Sequence, residues 1–425
     1  MASSSQKSSK ALHILQAVQT VDNIVKSIAD KTIVDVKDDR LPIELKVSEE
    51  STALRRVFLE EQTGFGLPVL TGKEPFSDLN KLEGNIENYI GMSQIPTGVI
   101  GPRRVIGSAA KGDFFVPLAT SEGALVASYH RGAKACLLAG GATSVCLVEG
   151  VQRSPLFKFH NLGELGQFVV WILAQMDKFR EITEQSSRFA KLEDMRTNIE
   201  GNHLILTFEF HTGDASGQNM VTICTDQICR YIIENTPVQP EMWFIEGNYS
   251  GDKKATSQSF MSVRGKKVTT EIFLPAEIIQ GVLKTTARAM AEYWRSSTVG
   301  IIQSGAIGAQ GHYANGLTAL FIATGQDAAC VAEAATGITR MEEKENGALY
   351  CSVTLPNLIV GTVGGGTGLP TQRECLELMG CAGAGNARKF AEICGALVLA
   401  GELSIAAALS AGHFASAHQN LGRKK

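Results

Sequence analysis

Four ionisable side chains, widely separated along the chain, are of types that can polarise a carbonyl oxygen or move a proton. Lys253 lies in GNYSGDKKAT (residues 247–256), between Asp252 and Lys254, in a stretch with no amphipathic period. A lysine fixed there can keep its charge and polarise a carbonyl oxygen, and Lys254 can hold a carboxylate. Two solvated turn lysines are the plain alternative. Asp327 stands in TGQDAAC, among apolar neighbours, where a carboxylate must find a partner or shift its pKa upward. An exposed helical Asp is the alternative there. Glu122, in ATSEGALVAS, falls in the first turn of an expected helix, where the dipole favours an anion. To keep a proton near neutral pH it needs a neighbour that offsets the helix end. His418, in AGHFASAHQNLG, has the side chain best suited to proton donation near neutrality.

A second group of residues suits an anion. TGDASGQN (212–219) follows a strand pattern and opens a helix, with Asp214 and Ser216 as caps, so its backbone N–H groups can meet a pyrophosphate. Arg188 in SSRF suits a ribose phosphate. The glycine runs GAIGAQG (305–311) and GTVGGGTG (361–368) are of low specificity. There is no GxxxxGK[ST] motif, and neither run has the strand–GxGxxG–helix context of a Rossmann site. A dinucleotide would therefore bind on some other fold.

The elements that must position these groups can be read in outline. Apolar spacing predicts helices over 11–35 and 54–64, and a long one from Ala119 to Gly140–Gly141, capped by Thr120 or Ser121. Residues 155–246 read as β-α-β-β-α-β, with a Gly201–Asn202 hairpin turn, the ferredoxin-like layout. Beyond them come a strand (KKVTTEIFLP), a helix (276–294), an apolar helix broken at Gly325, strands ending in the second glycine run, and Ala-rich helices. The whole is an α+β chain: a helical N-terminal segment (1–87), a large mixed α/β substrate domain in two parts (88–153 and 247–425), and an inserted domain (154–246). The run 393–412 is nearly long enough to span a bilayer, but Glu402 interrupts it and its residues are small, which predicts a buried core helix.

Composition limits the function classes. With 425 residues, net charge −3 and 20% charged residues, the chain lacks the basic excess of a nucleic-acid binder. Nine cysteines without CxxC or Cys/His spacing predict free thiols, a reducing compartment and no metal site. The polar start MASSSQKSSK has no apolar signal region and reads as unstructured.

In order, NYIGMSQIPTGVIGP, ATSEGALVAS, GNYSGDKKA, TGQDAA, GTVGGGTGLP and AGELSIAAALSAGH resemble the 3-hydroxy-3-methylglutaryl-coenzyme A (HMG-CoA) reductase family, over about residues 45–420, and look like the catalytic portion of its class I members. The resemblance implies reduction of HMG-CoA to mevalonate and coenzyme A with two NADPH. It assigns Lys253 to the developing oxyanion, Glu122 to proton donation at the mevaldehyde stage, Asp327 to tuning both, and His418 to protonating the departing thiolate. It implies that Arg153, Asp252, Lys254, His312 and Asn315 bind the acyl group and that Asn88, Arg131 and Lys284 meet coenzyme A. The dinucleotide would lie on Ser187, Arg188, Phe189, Asp214, Ser216, Gly217, Gln218 and Asn219, with Gly365 and Gly366. It further implies a site between two subunits, a homodimer-based homotetramer and, with no membrane segment, a cytoplasmic enzyme. The alternatives are NAD-dependent mevalonate oxidation in the reverse direction and a non-catalytic acyl-CoA or nucleotide-binding protein. The chain departs from the family at DASGQN, usually DAMGMN; at Glu246, often a serine; and near Ser296, beside Arg295, where a substrate lysine is usual.

Overall fold

The computed structural model describes residues 21–29, 40–42 and 44–412. The expected unstructured start and His418 lie outside them. Within the predicted 11–35 helix, the described part is helix α1 (Val21–Ala29). Helix α2 (Glu49–Thr63) starts earlier than expected. Ser48 and Ser51 cap each other's backbone N–H there, and Gly64 at φ +78° ends it.

Strands β1 (Thr97–Gly107) and β2 (Lys111–Ala119) form an antiparallel pair. Strand β2 consumes the residues expected to start the long helix, so α3 begins only at Leu125 (Leu125–Leu138). Glu122 therefore lies in the preceding turn, outside a helical first turn, with its N–H donated to Thr120 Oγ1 at 3.0 Å. Local propensity favoured helix here, but sheet pairing extends the strand to Ala119.

Strand β3 (Ala142–Arg153) belongs to two sheet regions. Its first part pairs with β1 and with β8 (Gly265–Leu274); its last three residues pair with β6 (His203–His211). Between them lie β4 (Leu156–Lys158), α4 (Leu162–Leu173), α5 (Met176–Ser186), β5 (Lys191–Glu200), α6 (Gln218–Asn235) and β7 (Met242–Phe244). The single helix expected over α4 and α5 is two, because turn bonds at Ala174 and Gln175 break the ladder. The predicted hairpin is present as β5–β6, with Gly201 at φ +54°. This block has strand order β7-β4-β6-β5, entirely antiparallel. Leu204, Leu206, Phe208 and Phe210 alternate along β6 and meet Phe168, Phe179 and Ile228 in a core of their own.

The larger core is built on β8, β10 (Leu349–Leu358) and β9 (Ile338–Glu343), with α7 (Ala287–Ser304), α8 (Tyr313–Thr324), α9 (Pro370–Leu378) and α10 (Ala387–Ser410). The helix expected over 276–294 is interrupted. Lys284 takes φ +61° after a short π turn, and Thr286 then caps α7. Helix α8 ends at Gly325, φ +68°, as its sequence predicts. Helix α10 is apolar and long enough to cross a membrane, but 83% of its most apolar stretch is buried inside the fold.

Candidate active site

The DKK turn joins β7 to β8 and is tied to buried groups by hydrogen bonds. Lys253 has φ +57°, and its N–H donates to Glu333 Oε1 at 3.1 Å. Glu333 is fully buried, and the same oxygen accepts Arg264 Nη1 at 2.5 Å. Arg264, itself 1% exposed, donates through Nη2 to Asp252 Oδ1 at 2.8 Å. The other Asp252 oxygen accepts Arg153 Nη1 at 3.3 Å, and that nitrogen also lies 3.1 Å from Glu246 Oε2. Glu246 accepts Ser250 Oγ at 3.0 Å, so its carboxylate ties down the start of the turn. Lys254 curls back, its Nζ 2.9 Å from the Asp252 carbonyl.

Lys253 Nζ lies 2.9 Å from Asp327 Oδ2. Asp327 is exposed, outside the apolar helix interior. It caps the turn after Gly325–Gln326, accepting Ala329 N–H at 3.0 Å. Partial burial raises its pKa, but the Lys253 hydrogen bond, the Ala329 N–H and the lysine charge hold it below the usual value. The Asp327 hydrogen bond in turn raises Lys253, against its partial burial. Burial pushes Glu333 up, with Arg264 opposing. Sequence reading missed Arg264 and Glu333; nothing in their neighbours marks them.

A cleft of about 680 Å³ is lined by Glu122, Arg131, His312 and Asn315, with Tyr129 and Lys134. Asn315 Nδ2 reaches both Glu122 oxygens, at 3.2 and 3.1 Å. Arg131 donates to the Ser404 carbonyl at 2.7 Å and to its Oγ at 2.9 Å. His312 Nδ1 is 3.1 Å from the buried Glu402. Lys284 is exposed at its left-handed corner. Asn88 is exposed at φ +51°. Arg295 pairs with Glu292 on the surface at 2.5 Å.

The two loops expected to hold a dinucleotide are neighbours. The pairing of Lys191 with His211 sets the 187–190 turn beside the 212–217 turn. Ser187 Oγ accepts the N–H groups of Phe189 and Ala190, and Arg188 stacks on the Phe189 ring at 5.8 Å. Gly217 (φ +81°) precedes α6 without any side-chain cap, so the first N–H groups of α6, from Gln218 and Asn219 onward, have no capping side chain. Asp214 does not cap α6. Its carboxylate accepts Gly385 N–H at 2.8 Å and Ala387 N–H at 3.0 Å, at the start of α10. Gln218 contacts Cys330 Sγ at 2.8 Å.

The glycine run joins these loops to the lysine pair. Gly361 N–H donates to Gln326 Oε1 at 2.9 Å, and Gly365–Gly366 lie in a turn packed on Gly325. A Cβ on Gly361 would stand 2.5 Å from Ser216 N, and one on Gly325 would stand 2.1 Å from the Gly366 carbonyl oxygen. G361A should therefore raise the KM for dinucleotide roughly tenfold or more while the chain stays folded, as initial rates and circular dichroism would report.

One chain brings Lys253 to Asp327 and Glu122 to Asn315, but the two pairs are held apart. Asn315 is in the first turn of α8 and Asp327 lies just past its end. Nine helical residues, 316 to 324, lie between Asn315 and the helix end, a rise of about 14 Å.

The hydroxymethylglutaryl-coenzyme A reductase family model matches residues 51–423. The HMG-CoA reductase of Pyrococcus abyssi is 44% identical over 381 residues, 88% of this chain and 93% of that protein. That of Aeropyrum pernix is 42% identical over 417 residues, 96% of this chain and 97% of that protein. Among solved structures, the class II HMG-CoA reductase of Streptococcus pneumoniae, bound to NADPH in open conformations, has a TM-score of 0.68 at 20% identity. It covers 86% of this chain and 97% of that one, and shares the mixed α/β fold. By sequence over most of its length, this chain belongs to the HMG-CoA reductase family.

Proposed function

We propose that this protein reduces HMG-CoA to mevalonate and free coenzyme A, consuming two NADPH. The observation that carries the reading is the Lys253–Asp327 contact at 2.9 Å on a turn pinned from beneath, in a chain of this family. Bound NADPH would supply hydride. As charge develops on the thioester oxygen, the Lys253 ammonium, held in position by Asp327, stabilises it. His418, outside the described residues, protonates the thiolate so that it does not re-add. Glu122 gives its proton to the alkoxide formed at the aldehyde stage. Two hydrides and two protons thus yield one primary alcohol and one thiol. Arg153, Asp252, Lys254, His312 and Asn315 hold the acyl group. Asn88, Arg131 and Lys284 meet coenzyme A.

The residues present suit NADPH. Uncapped N–H groups at α6 favour the pyrophosphate. Arg188, exposed and without an ion pair among the described residues, favours a 2′-phosphate over NAD. The order β7-β4-β6-β5 and the separate core support a ferredoxin-like cofactor domain over 154–246, inserted between 88–153 and 247–425. The separation along α8 supports a site shared by two copies, one giving Lys253 and Asp327, the other Glu122 and Asn315. We assign a homodimer-based homotetramer in the cytoplasm.

Loss of nicotinamide absorbance with HMG-CoA, two NADPH per thiol released, and mevalonate as product are the expected results. Turnover only from mevalonate with NAD would reverse the assigned direction. Mixing inactive K253A and E122Q chains, unfolded and refolded together, should restore about one quarter of parental activity if the site is shared. No recovery would sink the two-copy site.

A further inference from the structure

Glu402 was legible in the sequence only as a charge interrupting an apolar run. In the fold it is buried, and it receives four donors. Oε1 accepts His312 N–H at 2.8 Å and His312 Nδ1 at 3.1 Å; Oε2 accepts Gly311 N–H at 2.7 Å and Thr339 Oγ1 at 2.6 Å. With both oxygens occupied by donors, the group is a carboxylate and Nδ1 must carry a hydrogen. The imidazole is also stacked on Tyr129, with ring centroids 5.1 Å apart, and the Tyr129 hydroxyl donates to the His312 carbonyl at 3.1 Å. Its remaining nitrogen, Nε2, is buried without a hydrogen-bond partner in a residue that lines the cleft. A buried ring nitrogen left unpaired is costly unless a ligand meets it.

We infer that Glu402 is a positioning residue that locks His312 as its Nδ1–H tautomer, so that Nε2 accepts a hydrogen bond from a ligand hydroxyl. This rests on the proposed reaction for the hydroxyl's identity: the tertiary 3-hydroxyl of the acyl group is the donor that the substrate carries near its reacting end. A carboxylate is required at 402. Gln would turn an NH₂ towards His312 or towards the Gly311 and Thr339 donors, and would release the tautomer.

The tautomer can be read without substrate. In ¹⁵N-histidine spectra of the full chain, with the His312 signals identified by their loss in H312Q, Nδ1 should be the protonated nitrogen and Nε2 the bare one. A bare Nδ1 would overturn the inference. Kinetically, replacing the 3-hydroxyl of the thioester by hydrogen should lower the parental kcat/KM roughly tenfold or more, mostly through KM. E402Q should use the two thioesters about equally. T339V, which removes one Glu402 donor without touching His312, should keep the discrimination and the tautomer. Parental discrimination in E402Q would overturn the role. Should E402Q fail to fold, the parental tautomer and T339V still decide it. Absence of turnover with either thioester would refute the proposed reaction and leave the tautomer as the sole judge of Glu402.

Discussion

K253A should lose roughly 10²–10³-fold in kcat while its thermal midpoint stays within about 2 °C of the parent. The Lys253 side chain is 44% exposed, so truncation removes little packing. The turn is held by the Lys253 N–H and by Asp252, neither of which the substitution touches. The loss should therefore appear in turnover and not in stability. D327N should fall in the same direction, because the amide loses the charge that anchors the Lys253 ammonium in position. The pH dependence follows from the two shifts. Asp327 is depressed, so its contribution is present above its unfolded value and is lost only as acid passes below the usual aspartate range. Lys253 is raised, so its contribution is present below its unfolded value and is lost only above the usual lysine range. The pair should leave kcat without an inflection of its own between about pH 5 and 9. An inflection in that window that disappears in D327N would contradict this assignment, as would a K253A enzyme with parental kcat.

R264M should be the most destabilising single change near the site, at about 3–5 kcal/mol. It strands Glu333, which has no exposure and whose other oxygen already lacks a partner. It also frees Asp252, so turnover should fall along with stability. The double variant R264M/E333Q should regain much of the stability, because no unpaired charge is left inside. It should not regain activity, because Asp252 would still lack the Arg264 donor that fixes it beside Lys253. Denaturant unfolding and initial rates separate the two effects. A stable R264M, or a fully active double variant, would remove Arg264 and Glu333 from the support of the turn.

Local chemistry was legible wherever the physics is local. Gly64 and Gly325 end helices and Gly201 turns a hairpin because each adopts a left-handed backbone that glycine tolerates. The β-α-β-β-α-β order over 155–246 followed from periodicity alone, and its strands pair in one antiparallel sheet. Reading failed where a distant partner overrides propensity. Strand β2 takes Ala119 from the expected helix, and Asp214 leaves α6 uncapped to hold the start of α10.

By itself, the sequence determined the family and the order of elements over 155–246, and it offered Lys253, Asp327, Glu122 and His418 as candidate reacting groups. Only the tertiary structure decided which charges meet. Arg264 finds Glu333 across 69 residues and His312 finds Glu402 across 90, and neither partner bears any mark of the other in its own neighbourhood. It also decided that Lys253 and Glu122 are held at opposite ends of α8. A hydrogen bond depends on distances of about 3 Å, whereas chain order constrains such separations only weakly once loops intervene.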